Sequence, residues 1–261
     1  MLPRRTLLEG APDPAALEPL IAAAERALRT WQPVWTPFLP AALREQAEAR
    51  LGCLSELQLH SAGGHEGAER RRLVLQRADG GLEPADLLQQ LGGLEISGNF
   101  LFDPAAPADV RAALEHAGAD PGELGDIWLR GDRGAQAIVT AVLAARLDGA
   151  AGQVRTVPVE LAARPIAELQ PPARRVEKRL TSVEASLRLD ALASAGFGVS
   201  RNRMADLIRQ GAVRLNWTPV TNPSRDLAAG DRVQLEGRGE LLVEQLTLTR
   251  RDRWRVSLLR R

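Results

Sequence analysis

The formal charge of this chain changes sign part-way along, and that break governs how it can fold. Residues 1–173 hold 16 basic and 23 acidic side chains, and residues 174–261 hold 18 and 10. A body of net −7 is therefore followed by a tail of net +8, in a chain whose total is only +1. Pro165, Pro171 and Pro172 stand just before the change. They make this the best linker in the chain, because proline stiffens the backbone and removes a hydrogen-bond donor. The segregation predicts separately folded parts, with a polyanion as partner for the basic part alone. Arginine richness adds nothing to this: Lys178 is the only lysine, a bias that reflects genome composition. The position of the charge carries the argument.

A length of 261 residues allows one large domain or two to three small ones, and 44% hydrophobic with 26% charged residues is ordinary for a protein with real cores. No apolar run approaches the ~20 residues that cross a bilayer, so no membrane insertion is expected. The first residues carry Arg4 and Arg5 and then Glu9, Asp13 and Glu18, unlike a secretory or transit segment. Cys53 is the only cysteine, and His60, His65 and His116 fall at no metal-ligand spacing. The expectation is a cytoplasmic protein with no structural metal and no cofactor.

The fold class expected is α+β in three parts. Residues 1–90 read as a helical/β region. A helix is predicted over Ala15–Leu28, a proline-broken stretch over Trp31–Pro40, and a second helix over Ala41–Leu51. Strands follow at Leu54–Leu59 and Arg72–Gln76, separated by the Gly63-Gly64 turn. Residues 91–173 read as a domain with linker. Strands at Leu94–Ser97, Asp126–Arg130, Ala135–Thr140 and Val154–Leu161 alternate with helices at Pro107–His116 and Ala141–Leu147. That order, β-α-β-β-α-β, is the ferredoxin-like (RRM-like) one. Two readings are open for it: a second RNA surface, or a packing scaffold, since Phe100, Phe102 and Trp128 are its few aromatics.

Residues 174–261 read as a small α+β module. Leu189, Leu192, Ala193 and Gly196 form one apolar stripe of a helix, with Arg188 and Asp190 outside it. Ser200 is a good N-cap for a second helix, Arg201–Gln210, which buries Met204, Leu207 and Ile208 and stops at Gly211. Arg201 and Arg203 then occupy its first turn, where cations oppose the helix dipole by roughly 0.3–1 kcal/mol. An anion docked there reverses the sign; the other reading has both arginines simply solvated. Strands are expected at Ala212–Asn216, Asp231–Glu236, Glu240–Thr249 and Trp254–Leu259, the last two around the basic turn Arg250-Arg251-Asp252-Arg253.

The run Arg188-Leu189-Asp190, Ser200-Arg201, Ala205, Leu207-Ile208, Gly211, Val213, Asn216 and Gly230-Asp231 resembles the S4 RNA-binding domain. The resemblance implies RNA-binding roles for Arg188, Ser200, Arg201, Arg203, Arg209, Arg214 and Asn216. Trp217 departs from the family's usual glycine after the asparagine, and is open to two readings, stacking on a base or packing under the loop. Gly63-Gly64-His65-Glu66-Gly67-Ala68-Glu69-Arg70-Arg71-Arg72, with Gly125-Asp126-Ile127-Trp128 and Ala135-Gln136, resembles the bacterial YlmH-like S4-domain proteins, which include a cyanobacterial branch known as photosystem II S4-domain proteins. That family implies binding to rRNA or tRNA on the ribosome, on the large subunit, with a role in rescue of stalled chains. Arg70 and Arg72 are further candidates for phosphate, or else pair with Glu66 and Glu69 in solvent. A departure from the family stands at Asp109–Gly118, where Arg111, Glu115 and His116 replace a Gly-rich helix.

No enzyme is expected. Arg188-Leu189-Asp190 repeats the triplet around the catalytic aspartate of pseudouridine synthases, but it lies in the first helix of the small module. Gly118–Gly125 lacks the G-x-G-x-x-G spacing of a nucleotide loop. The reading is a non-enzymatic RNA binder. The alternatives are a photosystem or cell-division assembly factor working through protein contacts of the acidic region, and an RNA-modifying enzyme.

Overall fold

The computed structural model describes residues 2–173, 176–235 and 238–261. The domain boundary expected at Arg174 and the strand end expected at Glu236 lie outside them. The chain forms two compact units, Met1–Ala173 and Arg174–Arg261. The segments that the sequence separates at residue 90 thus fall into one unit.

The first unit opens with α1 (Arg4–Leu8), α2 (Pro14–Thr30), β1 (Val34–Leu39), α3 (Ala41–Leu51), β2 (Leu57–Ala62) and β3 (Arg71–Arg77). Asp13 caps α2 by accepting the Ala16 N–H at 3.0 Å, with Pro14 already at the φ that a first turn needs. β1 corrects the expectation of a proline-broken stretch. It survives Pro37 because it is an edge strand, in the order β1-β3-β2, with a bulge between Trp35 and Phe38. β3 is buried on both faces. Leu73 and Leu75 point into a core with α2 and α3, and Val74 points the other way.

The unit continues with α4 (Pro84–Gln89), β4 (Leu91–Ser97), α5 (Pro107–His116), β5 (Leu124–Leu129), β6 (Gly134–Thr140), α6 (Ala141–Leu147), β7 (Ala151–Val154) and β8 (Val157–Arg164). The single strand expected at Val154–Leu161 is instead a hairpin, turning at Arg155 with φ 53°. The antiparallel sheet has the order β5-β6-β4-β8-β7. Four of its strands keep the ferredoxin-like arrangement, and β7 adds an edge. α5 and α6 cover one face through Leu94, Ile96, Val110, Leu114, Val139 and Leu143. On the other face Leu91, Trp128 and Ile138 meet Phe38, Ala62 and Val74. The unit is therefore layered helices, sheet, sheet, helices.

Leu169 is buried in that same seam, and the Gln170 N–H donates to Gln136 Oε1 at 2.9 Å. The expected linker Pro165–Pro172 is thus docked as far as Gln170.

The second unit comprises β9 (Lys178–Glu184), α7 (Leu189–Phe197), α8 (Arg201–Arg209), β10 (Val213–Leu215), β11 (Thr218–Pro219), β12 (Arg232–Leu235), β13 (Gly239–Leu248) and β14 (Trp254–Arg260). β9 and β11 have no counterpart among the expected elements. All six strands form one antiparallel sheet, β11-β10-β12-β13-β14-β9. α7 and α8 share a core with its inner face through Leu192, Phe197, Met204, Ile208, Val213, Val243 and Leu258. A Cβ on Gly196 would stand 2.3 Å from Leu241 Cδ2, so only glycine lets α7 lie this close to β13. Leu207, expected in the core, is only half-buried.

Candidate nucleic-acid interface

α7 begins where the loop after β11 folds back on it. The carbonyls of Arg225 and Pro223 accept the N–H groups of Leu189 and Asp190 at 2.7 and 3.0 Å. Two of the donors that a helix start leaves over are therefore satisfied from within the chain. Asp190 does not lie outside the apolar stripe as expected: it is 4% exposed. Arg188 Nε and Nη2 donate to its two oxygens at 3.1 and 2.8 Å, and Arg201 Nη2 donates to Oδ1 at 3.1 Å. Burial pushes the Asp190 carboxyl up, but the hydrogen bonds and charges of the two guanidiniums together outweigh it and hold the pKa below its ordinary value.

Asp190 thus brings Arg188 and Arg201 together, one from each helix, and compensates one of their two charges. Both arginine side chains remain open to solvent, 38% and 51% exposed, while Asp190 fixes their position. The sequence contains the signal for this, an Arg-x-Asp at a helix start, but burial of the aspartate depends on the loop packed over it.

α8 starts as expected. Ser200 Oγ accepts the Arg203 N–H at 3.4 Å, and no acid lies in the first turn. The side chain of Arg203 is exposed and has no acidic partner among the described residues. Arg209 is paired instead with Asp206 at 2.9 Å. Arg214 is exposed between the buried Val213 and Leu215, so it projects from the sheet face opposite the helices and is not gathered with Arg201 and Arg203.

Asn216 is used up inside the fold. Its Nδ2 donates to Asp231 Oδ1 at 2.8 Å, and its Oδ1 accepts the Arg232 N–H at 2.9 Å. These bonds brace the β10–β11 turn, in which Asn216 and Trp217 both adopt left-handed φ, 49° and 71°. Such a two-residue turn favours Asn-Gly, and Trp217, half-buried, holds the position where a glycine costs nothing. A left-handed conformation costs a side-chain-bearing residue roughly 1–2 kcal/mol.

In the first unit, Arg70, Arg71 and Arg72 donate to backbone carbonyls. Arg70 donates to the carbonyls of Leu124 and Phe38 at 3.1 and 3.2 Å. Arg71 donates to those of Ala68 and Glu66 at 3.0 and 2.6 Å. Arg72 Nε donates to the Thr36 carbonyl at 2.8 Å, inside the bulge of β1, and Nη1 reaches the Gln90 carbonyl at 3.2 Å. A bulge frees carbonyls from the ladder, and Arg72 satisfies one. Burial lowers the pKa of Arg71 and Arg72. Neither reading of the cluster, phosphate grip or solvated pairs, included these backbone carbonyls as partners.

The motif that precedes these arginines is a joint. Asp126 accepts the Glu69 and Arg70 N–H groups at 2.8 and 2.9 Å, and His65 Nε2 lies 3.3 Å from its Oδ2. Gly64, at φ 82°, passes so close to Ile138 that a Cβ would stand 2.8 Å from its Cδ1. Arg111, in the segment that departs from the family, donates to the Gly125 carbonyl at 2.7 Å and steadies the same strand. Of the middle domain's aromatics, Phe100 and Trp128 are core residues and only Phe102 is exposed.

Comparison with known proteins fits this division. Residues 187–233 match the S4 domain family, and residues 13–80 match the family described as YlmH, N-terminal. The chain is 29% identical over 207 residues to "Ribosome-associated protein quality control protein P2" of Bacillus subtilis (strain 168), covering 79% of each. A solved structure, "Cell division protein ylmH from Streptococcus pneumoniae", is similar with a TM-score of 0.45 at 20% identity, over 60% of this chain and 93% of that one. Among the described residues, no helix is long and apolar enough to cross a membrane. With a segment of its first unit matching the YlmH N-terminal family and a segment of its second matching the S4 domain, the chain is similar to YlmH-like S4-domain proteins.

Proposed function

We propose that this protein binds structured RNA of the ribosome, rRNA or tRNA on the large subunit, through its C-terminal unit, and that it acts in the cytoplasm without catalysing a reaction. The observation that carries the reading is the S4 match laid over a helix start with Ser200 as cap, no acid in the first turn, and Arg188, Arg201 and Arg203 around it. Free N–H groups and guanidiniums at a helix N-terminus suit a phosphate. Affinity then comes from phosphate contacts that release counterions, with specificity from the shape of the RNA. The relative's name, a ribosome-associated quality-control protein, supports a role in rescue of stalled chains. The first unit, net −7 and with its arginine cluster engaged by carbonyls, suits a protein contact rather than RNA.

Co-sedimentation with ribosomes at two salt concentrations tests this. Arg203→Glu is the informative variant, because its side chain is exposed at the helix start, whereas Arg201→Glu would set a second carboxylate against the buried Asp190. The wild type should sediment with the large subunit at low salt and leave it as salt rises, and the variant should leave earlier. Absence from every ribosomal fraction at both salts would sink the proposal.

A further inference from the structure

Apart from Arg203 at the helix start, the second unit's densest cluster of unpaired cations lies elsewhere among the described residues. Arg188, Arg201 and Arg209 each have a carboxylate within 3.1 Å, Arg179 pairs with Glu244 at 3.3 Å, and Arg261 with Glu177 at 3.1 Å. At the tip of the β13–β14 ribbon, Arg250, Arg251, Arg253 and Arg255 are all exposed, and none has an acidic partner within salt-bridge distance among the described residues. The turn that presents them is braced. Thr249 N–H donates to the Arg253 carbonyl at 2.7 Å, Asp252 N–H to the Thr249 carbonyl at 3.2 Å, and Arg253 N–H to Thr249 Oγ1 at 3.2 Å. Asp252, at φ 51°, is the turn's one carboxylate. The tip lies beyond residue 233, where the S4 match ends.

We propose that this ribbon tip is a second RNA contact, separate from the S4 helix start, and that it grips the phosphodiester backbone of a duplex without reading bases. The inference rests on the RNA-binding reading of this unit. Three guanidiniums on a short braced turn, with Arg255 beside it at the start of β14, supply planar donors matched to phosphate. The nearest aromatic, Trp254, is half-buried and packs against the unit's core, so the tip has no exposed platform on which a single-stranded base could stack. A backbone contact of this kind adds affinity and fixes orientation but adds no sequence preference.

The test is the full chain carrying Arg250→Gln/Arg251→Gln/Arg253→Gln, compared with wild type and with Arg203→Gln/Arg214→Gln. Binding is followed by fluorescence anisotropy over a range of KCl, using a labelled RNA duplex of about two helical turns and a single-stranded oligouridylate. Because these side chains hold no acidic partner, the thermal transition should be unchanged. The tip variant should flatten the dependence of log affinity on log salt for the duplex by about 2.7, some 0.9 for each phosphate that is no longer neutralised. Arg203→Gln/Arg214→Gln should leave the tip's share in place. A duplex slope unchanged in the tip variant overturns the proposal. So does a loss confined to the single strand, or to vesicles of anionic lipid tested in parallel. If the tip variant still sediments with ribosomes and binds duplex as the wild type does, only the tip proposal fails. If the wild type itself binds neither, the RNA reading of the whole unit fails with it.

Discussion

Asp190→Asn isolates what the buried carboxylate does at the helix start. The side chain is 6% exposed and accepts three charge-assisted hydrogen bonds. The amide has the same volume, but it loses the charge and turns an NH2 group toward a guanidinium that can only donate. Such bonds contribute about 1.5–3 kcal/mol each when well shielded. Here the partners reach solvent and can recover hydration, so the net loss is about 2 kcal/mol rather than the sum. For a unit the size of Arg174–Arg261, each kcal/mol moves the midpoint by about 4–8 °C. Its calorimetric transition should fall by roughly 10 °C at neutral pH. The sign with pH follows from the depressed pKa. The carboxylate's contribution is complete above the unfolded value near 3.9 and is lost as pH falls through the lower folded value. Wild type and variant should therefore differ by a constant amount from neutral pH down to about 4 and converge below it. A midpoint unchanged in the variant, or convergence already between about pH 7 and 5, refutes the account.

Two further outcomes follow from the same matching of donors to acceptors. Arg72→Met leaves the Thr36 and Gln90 carbonyls without their donor and should destabilise the first unit by about 2 kcal/mol, read by urea unfolding, while RNA affinity stays at the wild-type value. Asn216→Ala removes two hydrogen bonds and places a Cβ-bearing residue without a side-chain brace at φ 49°. It should cost the second unit about 1–2 kcal/mol, and Asn216→Gly should cost less.

Elements whose limits are set by local chemistry were legible in the sequence. α3, α5 and α6 run over the residues expected, with Pro40 and Pro107 at two of the starts and Thr140 capping the third by accepting the Leu143 N–H. What escaped was decided by distant partners. Pro37 speaks against a strand unless one knows that β1 lies at an edge, and the turn at Arg155 is marked by neither glycine nor proline. The candidate site divides in the same way. Ser200 and its helix follow from composition, whereas the burial of Asp190 depends on the loop carbonyls of Pro223 and Arg225. The arginines at 70–72 read equally as a phosphate grip or as solvated pairs, because nothing in the sequence shows that backbone carbonyls are brought to them.

The apolar seam between the two sheets of the first unit has a consequence for cooperativity. Phe38, Ala62 and Val74 on one side and Leu91, Trp128 and Ile138 on the other are core to each other, so neither half can open without exposing the other to water. Met1–Ala173 should melt as a single foldon despite containing two sheets. A chain begun at residue 91 would present that apolar face bare, and would aggregate or find another surface to cover it rather than behave as an independent RRM-like domain.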